Sequence, residues 1–173
     1  MAVTIVATAG SASANSYALL TEAETFMEAR LNASLWTAAT DDSKNRALVE
    51  ATRELTNLTY KGDRADTTQA LAWPRSFVYN PDSPVQDYYD NTIVPQRIKD
   101  ATCELAFQFI KAGTSDLAAL DPTVGIVSKT VDVLSTTYDV NRRPSGLRRF
   151  PSVWRYVKDL LLSTGPMVPV IRG

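Results

Sequence analysis

The 173-residue chain contains no histidine. That absence removes the commonest general base, the usual metal ligand and every Ser-His or Cys-His nucleophile pair. A single cysteine, Cys103, excludes an intramolecular disulfide and any multi-cysteine metal cluster. Seven glycines fall in neither a GxGxxG nor a GxxxxGK[ST] spacing, so no phosphate-cradling loop is encoded. No apolar run approaches the ~20 residues that a membrane helix needs. The opening MAVTIVATAG lacks the basic flank of a signal peptide. Together these absences predict a soluble intracellular protein with no cofactor, no metal and no membrane partner. An enzyme would have to work with carboxylates such as Asp63 and Asp66. Two acids in a turn are usually a solvated turn, so catalysis ranks last among the functions considered.

What is present is ordinary globular material: 45% hydrophobic and 21% charged residues. The charge is unevenly spread. Through Asn141 there are 11 Lys or Arg against 18 Asp or Glu, and from Arg142 onward 7 against 1. An acidic body with a basic end suits contact with nucleic acid, with an acidic surface, or between one copy's end and another copy's body. Residues that merely face water would give the same count.

Local signals predict a mainly α fold: a small bundle of about four helices with a long irregular loop, a short β-hairpin and extended arms at both termini. Residues 1–20 read as an N-terminal arm, 21–163 as the helical domain and 164–173 as a C-terminal docking tail. Thr21 to Glu24 has the form of a capping box, and Ala23, Phe26, Met27, Arg30 and Leu31 follow at helical spacing. A second helix over 43–58 takes Asp41 or Asp42 as its cap and turns Leu48, Ala51, Thr52, Leu55 and Leu58 inward. Trp36, between the two, is expected to fill core space. A turn over Thr59 to Asp66, centred on Gly62, follows, and after Trp73-Pro74 a long irregular stretch runs to about Val94. Pro95 opens the most apolar helix, with Ile98, Ala101, Thr102, Leu105, Ala106, Phe109 and Ile110 buried and Gly113 as its stop. Alternation over about 126–140 predicts the hairpin. Pro151 opens a last helix to Leu162.

At the head of that stretch, the Trp-Pro-Arg of QALAWPR carries no intrinsic chemistry. Pro74 restricts the residues before it to extended conformations. An indole lodged in the bundle would fix where the loop leaves it. Trp73, Pro74 and Arg75, with Trp36, are therefore read as a structural pin, and Arg75 as a partner for an acid on a neighbouring copy.

The order ANSYALLTEAETF, Trp36, ALVEATREL, KGDR, QALAWPR and VPQRIKDATCELAF resembles small proteins of tailed bacteriophages and prophages. That family is labelled DnaT-like putative ssDNA-binding protein, and the chain is similar also to the neck proteins called head-tail connectors or head-completion adaptors. The resemblance spans roughly residues 13–110, with QALAWPR and the helix after it as its specific part. Where an acidic, glycine-containing segment would precede ANSY, this chain has VATAGSAS.

The connector resemblance implies a structural virion protein made in the host cytoplasm and placed at the head-tail interface. It would form a ring of about a dozen copies beneath the portal protein. The ring extends the DNA channel and offers a platform to the next neck or tail protein. Met167, Val168, Val170, Ile171 and Arg172 would dock on the portal or an adjacent copy. Arg142, Arg143, Arg148 and Arg149 would face a neighbour's acidic body or, weakly and without sequence preference, the packaged DNA. The DnaT-like label implies instead a single-stranded DNA-binding module. Its support in the residues is Phe150, Trp154 and Tyr156 standing among Arg148, Arg149 and Arg155. Val153, Val157, Leu160 and Leu161 make the same segment an amphipathic helix, and a pI near 5.5 is low for a nucleic-acid binder.

Overall fold

The computed structural model describes residues 2–85, 87–115, 128–131, 134–137 and 146–162, with backbone alone for the two middle segments. The expected tail, residues 164–173, and Arg142 and Arg143 lie outside that set. The described chain is mainly helical. Its elements are α1 (Leu20–Glu28), α2 (Ser34–Ala38), α3 (Asp41–Thr56), β1 (Asp63–Arg64), β2 (Arg75–Ser76), α4 (Gln96–Ala112), β3 (Ser128–Val131), β4 (Leu134–Thr137) and α5 (Pro151–Val157). Strands β3 and β4 pair antiparallel from Ser128–Thr137 to Val131–Leu134, which is the expected hairpin. Among the described residues, no helix is long and apolar enough to cross a membrane.

The centre of the core is α4, as its composition predicts. Ile98, Ala101, Thr102, Leu105 and Ala106 are fully buried, and the helix packs on α3 along one side and α5 along another. Pro95 stands at its N-cap, where a missing N–H costs nothing. Gly113 closes it with φ +69°, a left-handed conformation that a side chain would resist.

Both other caps differ from expectation. Helix α3 is capped by Thr40, whose hydroxyl accepts from the Ser43 amide at 3.3 Å. Asp41 and Asp42 fall in its first turn, where they favour the helix dipole instead. Helix α1 starts earlier than predicted: Leu19 is the N-cap, and the Glu22 carboxylate accepts from its amide at 2.8 Å. Glu24, the acid assigned to that role, pairs with Lys44 at 3.2 Å. Since α1 ends at Glu28, Arg30 and Leu31 lie beyond it; Arg30 turns toward α4 and Leu31 is wholly exposed. Trp36 is buried, on a short helix of its own that the sequence reading did not separate.

The N-terminal segment is laid against the body rather than held away from it. Asn15 ties it into a loop, its Oδ1 accepting from Val6 N at 2.8 Å and its Nδ2 donating to Thr4 O at 2.9 Å. Val3 N donates to Asp42 on α3, and Tyr17 and Ala18 are fully buried. At the other end, α5 gives way after Val157 to a 3-10 turn, Lys158–Leu160. Leu161 then bridges antiparallel to Tyr60, with Lys61 N donating to Leu160 O and Leu162 N to Thr59 O, both at 3.0 Å.

Candidate functional site

Two places combine tryptophan or phenylalanine with arginine, and they use the pair in opposite ways. The first is QALAWPR. Trp73 is 1% exposed and meets Tyr60 and Tyr89 edge-on, with ring centroids 5.4 and 6.2 Å away. The Trp73–Pro74 peptide is cis. Arg75 Nε donates to Lys61 O at 2.8 Å, Nη1 to Ala72 O at 3.2 Å, and Nη2 to Gly62 O. The guanidinium therefore ties the turn to the strand after it within its own chain. Buried Gln69 works the same way, accepting from Asp66 N and donating to Leu71 O and Pro74 O. The Tyr17 hydroxyl accepts from Ala72 N at 3.1 Å. Gly62 has φ +66°, and a side chain there would collide with the Ser76 carbonyl oxygen. These contacts pair the Leu71, Ala72 and Pro74 carbonyls internally, as a buried crossing requires, while the buried Trp73 Nε1 is left without a hydrogen-bond acceptor.

The second place is a cleft of about 810 Å³ beside α4, reached also by the loop after α1, by α2 and by α5. At its floor lies Glu104, whose side chain is fully buried. Arg30 grips it with both ends of its fork, Nη1 to Oε2 and Nη2 to Oε1 at 3.0 Å, and the Gln108 amide donates to Oε1 at 3.1 Å. Burial pushes this carboxyl upward, but hydrogen bonds from Arg30, Ser152 and Gln108 together outweigh it and hold the group below the ordinary glutamate range. The Arg30 guanidinium carbon also sits 4.8 Å from the centre of the Phe107 ring. Lys111 and Arg155 line the cleft as well, and Leu31 and Leu35 leave apolar surface at its edge.

Helix α5 continues this chemistry. Arg148 lies over the Trp154 ring at 5.1 Å, and Arg155 over Tyr156 at 5.1 Å. Trp154, Tyr156 and Phe150 are half-buried, each resting on the core with part of its ring accessible. Arg149 is half-buried in the 3-10 turn before α5. The basic and aromatic residues seen in the sequence therefore meet in space as two pairs, Arg148 with Trp154 and Arg155 with Tyr156. The sequence reading missed their continuation into Arg30, Glu104, Phe107 and Lys111. One signal was available: Glu104 is three residues after inward Ala101, on the buried stripe of α4. A carboxylate there demands a cation.

Of the remaining sequence candidates, Asp63, Asp66 and Cys103 fall within the described residues. Asp66 accepts from Thr68 N and Oγ1, both at 2.7 Å, and thereby shapes its own turn, while Asp63 lies exposed in β1. The Cys103 thiol is buried between α4 and the core, and desolvation, aided by Asp100 and Glu22, pushes it up to about 12. Such a thiol is neither nucleophile nor ligand at neutral pH. Among the described residues, no group of three or more acids or cysteines is placed to hold a metal ion.

No curated protein and no solved structure matches the chain. Its whole length, residues 1–173, matches the family described as "Putative DnaT-like ssDNA binding protein". The match covers the whole chain, and the chain belongs to this family.

Proposed function

We propose that the protein binds single-stranded DNA across the cleft and the adjoining face of α5. The observation that carries this reading is the presence of Arg148, Arg155 and Lys111 at the surface with the half-buried rings of Trp154 and Tyr156 beneath two of them. Cations that track a phosphate backbone and rings that stack on bases are the two components of sequence-tolerant single-strand binding. The family description points the same way. Glu104 does not spoil the field, because Arg30 neutralises it. No turnover is expected of such a module.

The test is fluorescence anisotropy with a labelled oligo-dT strand over a salt series, against a duplex of equal length. The expected result is binding that favours the single strand and weakens steeply with salt, with a log–log slope of about −0.7 per phosphate contacted. Replacing Lys111, Arg148 and Arg155 by Ala should flatten that slope by about 2. Equal binding to duplex, or no binding at low salt, would overturn the reading.

A second reading, the neck adaptor, is favoured by a different surface. The loop after β2 exposes Phe77, Tyr79, Val85, Tyr88 and Ile93, with Asp82, Asp87 and Asp90 among them and no Lys or Arg. Apolar surface of this kind suits a protein partner, and its acids disfavour DNA. Under this reading the copies assemble on a portal protein, present a platform to the next neck or tail protein, and sit at the virion neck. Light scattering of the chain alone and with a portal checks it: no change in mass on mixing would remove it.

A further inference from the structure

Resting on the single-stranded DNA reading, we propose that the cleft seats one unstacked nucleobase, with Arg30 as its stacking platform and Glu104 as the residue that positions that platform. A phosphate would call on the paired donors of a guanidinium fork. In Arg30 one N–H of each terminal nitrogen is already held by Glu104, so the Nη1–Nη2 edge is closed to a phosphate. About a third of the Arg30 side chain remains accessible, and it lines the cleft with its guanidinium beside Phe107. The flat face of an arginine is a surface on which a splayed base stacks.

The rest of the cleft fits the same ligand. Its volume, about 810 Å³, lies within the range of small-molecule pockets and exceeds what a single base fills. Leu31, wholly exposed, and Leu35, half-exposed, offer apolar contact that the protein itself leaves uncovered. Asn32, Ser34 and Gln108 add neutral hydrogen-bonding groups suited to a base edge. Lys111 and Arg155 supply the charge for the phosphates on either side. Glu104 touches none of this directly. Its part is to stop Arg30 from swinging out to meet phosphate as a mobile point charge, which makes it a positioning residue.

The experiment compares two strands of equal length at one salt concentration: oligo-dT, and the same sugar–phosphate backbone with every base removed. Wild-type protein should bind oligo-dT more tightly than the abasic strand. Arg30→Ala should weaken oligo-dT binding by about 5- to 150-fold more than it weakens abasic binding, the difference being the worth of one stacked base and the shared loss that of an unpaired Glu104. Arg30→Lys should not restore the difference, because it returns the charge without the plane. Glu104→Gln should lose the same discrimination although Arg30 is intact. Leu31→Ser with Leu35→Ser, at exposed positions that the fold does not need, should reduce oligo-dT binding alone by a few-fold, and this pair decides the matter if Arg30→Ala does not fold. If wild type binds oligo-dT but these variants weaken both strands equally, the base pocket is wrong and the single-strand reading stands. If wild type binds neither strand, both fall.

Discussion

The wall around Trp73 and the cleft around Arg30 are built from the same residue types, and they differ in where the cations' hydrogen bonds go. Arg75 and Arg64 donate to backbone carbonyls of their own loop. Lys111, Arg148 and Arg155 stand at the surface, and two of them lie over half-buried rings. An aromatic beside an arginine therefore says nothing about function until the donors have been traced. Spent inward, the pair fixes a chain crossing; left outward, it is available to a ligand.

The largest expected effect separates the two regions by stability. Trp73→Ala should cost about 3–5 kcal/mol in urea denaturation, the range for emptying a large aromatic site in a close-packed core. Trp154→Ala should cost less than half as much, since its ring is only half-buried. Equal costs would mean that α5 is as much part of the core as QALAWPR, and would break the comparison.

Glu104→Gln should cost about 1–3 kcal/mol, below the range for a dry ion pair because Arg30 reaches solvent. The cost should depend on pH. The folded carboxyl is held below its unfolded value, so its contribution is fully present above about pH 4.3 and is lost as pH falls through the folded value. Melting temperatures of wild type and variant should therefore converge on acidification. A gap that stays constant down to pH 2 would show that the carboxylate's charge is not what holds Arg30.

Smaller again is the contrast between two arginines. Arg75→Ala leaves the Lys61, Gly62 and Ala72 carbonyls without their donor and should cost about 1–2 kcal/mol. Arg155→Ala should stay within about 0.5 kcal/mol of wild type while weakening oligo-dT binding. The reverse order would exchange the roles assigned to the two regions. Least of all, in energy, is Cys103. Its thiol should react with a thiol-specific reagent at pH 8 only as fast as the fold opens, which a reaction rate in and out of urea measures.

Periodicity made most of this fold legible. The stripe on α4, Gly113 as its stop, the alternation of the hairpin and the turn at Gly62 are all local patterns, and each is present. Helix starts were less legible, because Thr40 and Asp41, or Leu19 and Thr21, compete for a cap within a few residues and tertiary contacts choose between them. At the candidate site the difference is one of range. Arg148, Trp154 and Arg155 are near in sequence and were visible together. Arg30 and Glu104 lie 74 residues apart, and only folding brings them into one ion pair. The isolated signal of a carboxylate on a buried stripe names one partner of such a pair and leaves the other unknown.

The antiparallel bridge between Tyr60 and Leu161 has a mechanical meaning. Lys61 N to Leu160 O and Leu162 N to Thr59 O lie side by side across the direction of the chain. A pull on the backbone at Leu162, along the strand, would load both bonds at once rather than peel them one after the other. The load would pass into segment 59–61, and from there to α3 through the Tyr60 hydroxyl, which donates to Leu55 O at 2.8 Å, and into the ring of Trp73 against Tyr60. Tension applied at Leu162 is thus passed directly to the core around Trp73.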